Sequence, residues 1–194
     1  MVDLRGLLRK FKQCNDYEHR GACHMTHVPS DGRLAYLNII FEAADATVQR
    51  QTIDPLGLPS ELTDFYRRYN GAHLLSDNLS LYGFFPSVYL YDRMDERMSY
   101  PYNIADTNAR QLDDWLTSDV FIFGSYGYDR SEVYVEKSTG LITCSVGDDL
   151  SRSRATWPSF ETWITEEIER MSGFFDEWGN RLVEPENMLP GRRE

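Results

Sequence analysis

The stretch from Pro55 to Gly71 sets the narrowest limits on what this chain can become. Leu62, Phe65, Tyr66 and Tyr69 fall at i, i+3, i+4 and i+7, which places them on one face of a helix. Pro59 suits the start of that helix, where its missing N–H costs nothing. Asn70-Gly71 suits its end, since both residues tolerate the left-handed conformation. Downstream the period drops to two. Leu79 to Phe84 alternates, and Val88-Tyr89-Leu90-Tyr91 follows Pro86. The apolar run Val120 to Phe123, bounded by Gly124, reads as a buried strand. Glu132–Glu136 and Leu141–Val146 flank Ser138-Thr139-Gly140, a hairpin signal with the glycine where a positive φ is needed.

The ends of the chain are helical in pattern. Leu4, Leu7, Leu8 and Phe11 recur at helical spacing with Arg5, Arg9, Lys10 and Lys12 between them. This short basic amphipathic helix is expected to pack on the body of the protein rather than on a membrane surface or an acidic partner. Residues 14–32 are polar and turn-rich and read as a connector. Leu34 to Ala44 fits two patterns: Leu34, Leu37, Ile40 and Phe41 suit a helix, while Tyr36 to Phe41 suits a strand, and the helix is preferred. Within the acidic stretch 92–117 a helix is expected near Ile104–Leu112. Gly124-Ser125-Tyr126-Gly127 reads as a turn between strands. Pro158-Ser159 opens a last helix with a core stripe of Phe160, Trp163, Ile164, Ile168, Met171 and Phe175. Its wet face is expected to be Glu161, Glu166, Glu167 and Glu169. From Leu182 onward no pattern persists, and a loose tail is expected. Helices at both ends of a run of strands predict an α+β domain with a single, mainly antiparallel sheet flanked by helices.

Charge narrows the partners. With 20 Lys and Arg against 31 Asp and Glu, the net charge is −11. Such a surface repels phosphate backbones, so nucleic acid is not the expected partner. It steers a basic protein, although solubility alone would also account for it. Cys14, Cys23 and Cys144 suit a reducing compartment better than a disulfide framework. Charges interrupt the first ten residues, and no apolar run approaches the roughly 20 residues that span a bilayer. A cytoplasmic, membrane-free protein is expected.

No motif for catalysis emerges. Cys14, His19, Cys23, His24 and His27 crowd one stretch, but the cysteines are too far apart and the last two histidines too close for a usual zinc pattern. Polar connector residues are the preferred reading, and a metal-dependent enzyme the third-ranked one. There is no G-x-S-x-G elbow, and the glycines around Ser125 lack the Lys-Ser/Thr pair of a phosphate cradle. The acid pairs Asp113-Asp114, Asp148-Asp149, Glu166-Glu167 and Asp176-Glu177 are too common on an acidic surface to single out catalytic carboxylates. No catalytic, cofactor or metal residues are assigned.

Three stretches in order carry a resemblance. They are Leu58-Pro59-Ser60-Glu61-Leu62-Thr63-Asp64-Phe65-Tyr66 running into Tyr69-Asn70-Gly71; Phe121 to Gly127 followed by Val133-Tyr134-Val135 and Thr139-Gly140-Leu141-Ile142; and Trp157-Pro158-Ser159-Phe160-Glu161-Thr162-Trp163-Ile164. Over roughly residues 45–175 the chain resembles the SUKH superfamily. Its founding members are yeast regulators of cell-wall assembly, and many bacterial members are immunity proteins against polymorphic toxins. The resemblance implies a non-catalytic protein-binding role, with residues 1–44 as a helical extension and connector, 45–178 as the SUKH-like domain and 179–194 as the tail. The preferred function is an immunity protein that neutralises a cognate toxin, with a basic nuclease as one candidate toxin; the alternative is a regulatory or scaffolding module. The candidate partner-binding residues lie between the strands: Asp92, Asp95, Glu96, Asp113, Asp114 and Asp119, with Tyr100 and Tyr102 as aromatic anchors. The plainer alternative is that these acids only solvate a loop.

Overall fold

A computed structural model describes residues 2–12, 16–19, 21–30, 33–84 and 100–191, with the backbone alone for 19, 27–30 and 33–35. Among these residues nine strands lie side by side in chain order, each antiparallel to its neighbours. They are β1 (Tyr17–His19), β2 (Ala22–Ser30), β3 (Arg33–Glu42), β4 (Tyr69–Leu74), β5 (Leu79–Leu81), β6 (Val120–Tyr126), β7 (Glu132–Glu136), β8 (Ile142–Val146) and β9 (Asp149–Trp157). Helices α1 (Leu4–Leu7), α2 (Ala46–Thr52), α3 (Ser60–Arg68), α4 (Ile104–Gln111) and α5 (Phe160–Ser172) accompany the sheet. The α+β class with a single antiparallel sheet is therefore as expected. The Val88–Tyr91 segment lies outside the described residues.

Aromatic rings join the two long helices to the sheet. Phe65 of α3 meets Phe160 of α5 at 5.0 Å, and Phe123 of β6 meets Trp163 at 5.2 Å. Leu62, Phe65, Tyr69, Phe121, Phe123, Val133, Val135, Trp163 and Ile168 are all buried, as their spacing predicts. Ser159 caps α5 by accepting from the Thr162 N–H. The β7–β8 hairpin turns where expected, with Gly140 at φ 77°.

Several local expectations fail for physical reasons. Helix α3 ends at Arg68, and Asn70-Gly71 lies inside β4 instead of stopping the helix. Gly71 is still required there: its φ is +89°, and a Cβ would come 2.5 Å from the Leu81 carbonyl oxygen. The preferred helix at Leu34–Ala44 is instead strand β3. Ile40 joins the main core, while Ile39 and Phe41 form a small cluster with Ala22. A strand buried on both faces reads as a continuous apolar run, so its period of two is hidden. Most of the expected connector 14–32 is the sheet pair β1–β2. The turn expected over Gly124–Gly127 begins only at Gly127; β6 passes through Gly124 with a register shift and runs to Tyr126. Strand β9 had no sequence signal, because it is an edge strand whose side chains are mostly exposed.

Two expectations about the last helix and the tail are corrected together. Glu167, placed on the wet face of α5 by its spacing, is 2% exposed. It accepts from the Tyr126 hydroxyl at 2.6 Å and from Arg170 at 2.6 and 2.9 Å. Arg170 also donates to the Met188 carbonyl at 2.7 Å, and Met188 and Leu189 are buried. Through residue 191 the tail is thus docked by a charge-assisted bond from α5 rather than loose.

The ring cluster makes Phe65 and Trp163 the most informative deletions. Phe65→Ala or Trp163→Ala is expected to cost about 3–5 kcal/mol, read from the urea midpoint of the folded chain.

Candidate functional site

Strand β5 has three residues, and β6 has seven. Where β5 stops, the buried Asn108 of α4 takes over its pairing. Asn108 Oδ1 accepts from the Ile122 N–H at 2.9 Å, and its amide donates to the Ile122 carbonyl at 2.7 Å. Helix α4 therefore stands beside β6 in the place of a longer strand. A cleft of about 1350 Å³ opens among α4, the β4–β5 turn and the β6–β7 turn.

One wall is built on unusual backbone. Leu75, Ser76 and Asp77 have φ of 56°, 57° and 63° in succession. Each non-glycine residue in this region costs on the order of 1–3 kcal/mol unless its surroundings hold it. Here Asn38 Oδ1 accepts from the Leu75 N–H at 3.0 Å, and the Leu37 carbonyl accepts from the Ser76 N–H at 2.8 Å. The turn sets Asp77, half-exposed, at the edge of the cleft. Its carboxylate accepts from the Ser80 hydroxyl and, at 2.7 Å, from the Tyr102 hydroxyl, and it lies 3.1 Å from His73 Nδ1. Burial acts to raise the Asp77 pKa, but the hydrogen bonds from His73, Ser80 and Tyr102 outweigh it and hold the carboxyl below its ordinary value. The Tyr102 ring is fixed against His73 at 4.7 Å and Tyr82 at 6.1 Å.

The cleft is also lined by Glu132, the first residue of β7, which is 7% exposed. The Tyr82 hydroxyl donates to its Oε2 at 2.8 Å. Burial pushes its pKa up to about 7; the Tyr82 bond and the Arg110 charge act downward, and the Asp148 charge adds to the rise. Tyr126 and the half-exposed Tyr128 also line the cleft.

The arrangement is poor for nucleophilic catalysis. In a relay, the two ring nitrogens of histidine separate the hydroxyl from the acid. Here Asp77 and Ser80 both face His73 Nδ1, while Nε2 lies 3.2 Å from the Tyr100 carbonyl. Burial pushes the Cys144 thiol up to about 12 and the Cys23 thiol up to about 11, so neither supplies a thiolate at neutral pH. Cys23 and His24 are consecutive in β2 and so point to opposite faces, while Cys14 lies outside the described residues. Among the described residues no group of three or more His, Cys, Asp or Glu is arranged to hold a metal.

Of the residues singled out in sequence, Tyr102 lines the cleft. Tyr100 is half-buried and presents its carbonyl to His73. Asp113 and Asp114 are exposed in the turn after α4 and do not line the cleft. Asp119 holds the β7–β8 hairpin, accepting from the Ser138 N–H at 2.8 Å and hydroxyl at 2.7 Å. Asp92, Asp95 and Glu96 lie outside the described residues. Sequence reasoning missed Asp77, Tyr82, Tyr128 and Glu132. A charged residue opening a strand reads as exposed, so Glu132 gives no signal; the Tyr-rich alternation around Tyr82 was visible but fitted a core equally well.

The family model for the SMI1/KNR4 family (SUKH-1) matches residues 55–166, more than half of the chain. The chain belongs to this family, and membership supports a protein-binding domain of the immunity or regulator type. No curated protein and no solved structure matches it. Among the described residues no helix is long and apolar enough to cross a membrane.

Glu132 gives a pH-dependent stability. Its folded pKa of about 7 exceeds its ordinary value of 4.5, so the folded chain keeps a proton that the unfolded chain has lost. Stability should fall as pH rises between those values and level off above them, by at most about 3 kcal/mol. Urea titrations at pH 5 and pH 8 are expected to show this loss in the native sequence and a smaller one in Glu132→Gln.

Proposed function

We propose that this chain is a non-catalytic immunity protein that binds and neutralises a cognate toxin, a basic protein, in the cytoplasm of the cell that makes both. Family membership over residues 55–166 is the observation that carries the reading. The net charge of −11 supports the choice of a basic target, because opposite charge speeds association. Nuclease toxins are basic for the same reason that they grip phosphates. The Ser80–His73–Asp77 geometry and the raised thiols fit a role without catalysis. In this reading Tyr102 is an aromatic anchor, Tyr100 supports it, and Asp113 and Asp114 with Asp92, Asp95 and Glu96 supply the steering field. Asp119 acts only by shaping the adjacent hairpin.

The direct test is protection. Co-expression with the toxic domain encoded beside it should restore growth, and a host that still dies overturns the reading. Association should also slow as salt rises, since screening acts over about 8 Å at physiological ionic strength. Replacing Asp113 and Asp114 together by Lys should slow association by roughly two- to tenfold and flatten its salt dependence, with thermal stability little changed.

A further inference from the structure

We propose that the cleft receives a single cationic side chain of the partner, an arginine or lysine, whose charge seats on Glu132 between the rings of Tyr82, Tyr102 and Tyr128. This deepens the reading above and rests on it.

Glu132 is the reason. It is a buried carboxylate that faces the cleft with one oxygen engaged by Tyr82, and no described residue donates to the other. A buried charge of this kind is costly unless a cation joins it. The cation nearest in effect is Arg110, which is committed along its own helix: its Nε donates to the Asp106 carbonyl at 3.1 Å and its Nη2 to the Thr107 hydroxyl at 3.3 Å. Arg130 and Arg181 are exposed at the rim, where water and salt screen them. The other glutamate buried among the described residues, Glu167, has its arginine. Glu132 therefore lacks what Glu167 has.

The walls suit the same guest. Tyrosine faces attract cations, and more so where water is excluded. Tyr102 is held in place by Asp77 and Tyr128 stands half-exposed, so the entrance offers aromatic surface to an approaching stem. The strained turn at Leu75–Asp77 keeps Tyr102 ready before the guest arrives, which lowers the ordering cost of binding. Seating a cation favours the ionised carboxylate, so binding near neutral pH releases a proton from Glu132 to solvent. Tyr82, Arg110 and Asp148 are the titratable or charged groups that act on it.

The test uses the full chain and needs no partner. N-acetyl-arginine amide is titrated against isotope-labelled protein by NMR, with N-acetyl-citrulline amide and N-acetyl-glutamate amide as controls. The arginine probe is expected to shift the ring signals of Tyr82, Tyr102 and Tyr128 and to lower the pH midpoint of the Glu132 carboxyl. Citrulline, which keeps the shape and loses the charge, should bind about tenfold more weakly. Glu132→Gln should weaken the arginine probe about tenfold and abolish the dependence on pH, and Tyr128→Ala should weaken it roughly threefold while leaving that dependence intact. The proposal is overturned by arginine shifts elsewhere, by none, by equal binding of citrulline or the glutamate probe, or by unchanged affinity in a folded Glu132→Gln protein. Failure of the probe removes the pocket and leaves toxin protection standing; loss of protection with the probe still bound removes the function and leaves the pocket.

Discussion

Every backbone N–H and C=O taken from water must find a partner, and in this fold three asparagine side chains meet that demand where strands run out. Asn108 pairs with both backbone groups of Ile122. Asn70 does the same for Phe84, accepting from its N–H at 2.7 Å and donating to its carbonyl at 3.0 Å. Asn38 caps the Leu75 N–H. A carboxamide presents a donor and an acceptor side by side, so it mimics one residue of a neighbouring strand. Aspartate at position 108 would keep the acceptor and lose the donor, leaving the Ile122 carbonyl without its bond in the core.

The cleft follows from that substitution of side chain for strand. Because β5 stops at Leu81, α4 fills the next place along β6, and a helix is wider than a strand. The gap beside it is where Tyr82, Tyr102 and Glu132 gather. Asn38 has a second consequence. By fixing the Leu75 N–H it stabilises a left-handed turn that no glycine relieves, and that turn orients Asp77 toward Tyr102. The wall of the cleft thus inherits its rigidity from polar groups placed to complete a sheet.

The sequence shows the elements whose apolar residues face one way. Helices α3 and α5 have one buried stripe each, and the β7–β8 hairpin has alternation and a glycine, so periodicity locates them. Strand β3 is buried on both faces and β9 on almost none, and in both the contrast between faces disappears. Glu167 shows the same limit in a helix: its position along α5 says solvent, but Tyr126 and Arg170 override it from elsewhere in the fold. Of the candidate partner-binding residues only Tyr102 lines the candidate site, as an aromatic residue in an irregular stretch. Asp77 and Glu132 depend on which groups the fold brings around them, and no spacing along the chain encodes that. Acidic runs such as Asp113-Asp114 are conspicuous in sequence because they are exposed, which is also why they tell little about the cleft.

The two glutamates buried among the described residues differ in how their charge is met. Glu167 is paired within the fold with Arg170, which in turn donates to the Met188 carbonyl of the tail, and it also accepts from the Tyr126 hydroxyl. Glu132 is not neutralised, and burial alone would favour glutamine at the same place, since an amide can keep the Tyr82 bond without carrying a charge. Of the neighbouring charges, Asp148 adds to the cost of ionising it and Arg110 lessens it. A carboxylate kept under those conditions weakens the free protein as pH rises toward neutrality. A cation delivered by a partner would reverse the sign, turning a buried charge that is uncompensated in the free chain into a favourable contact of the complex.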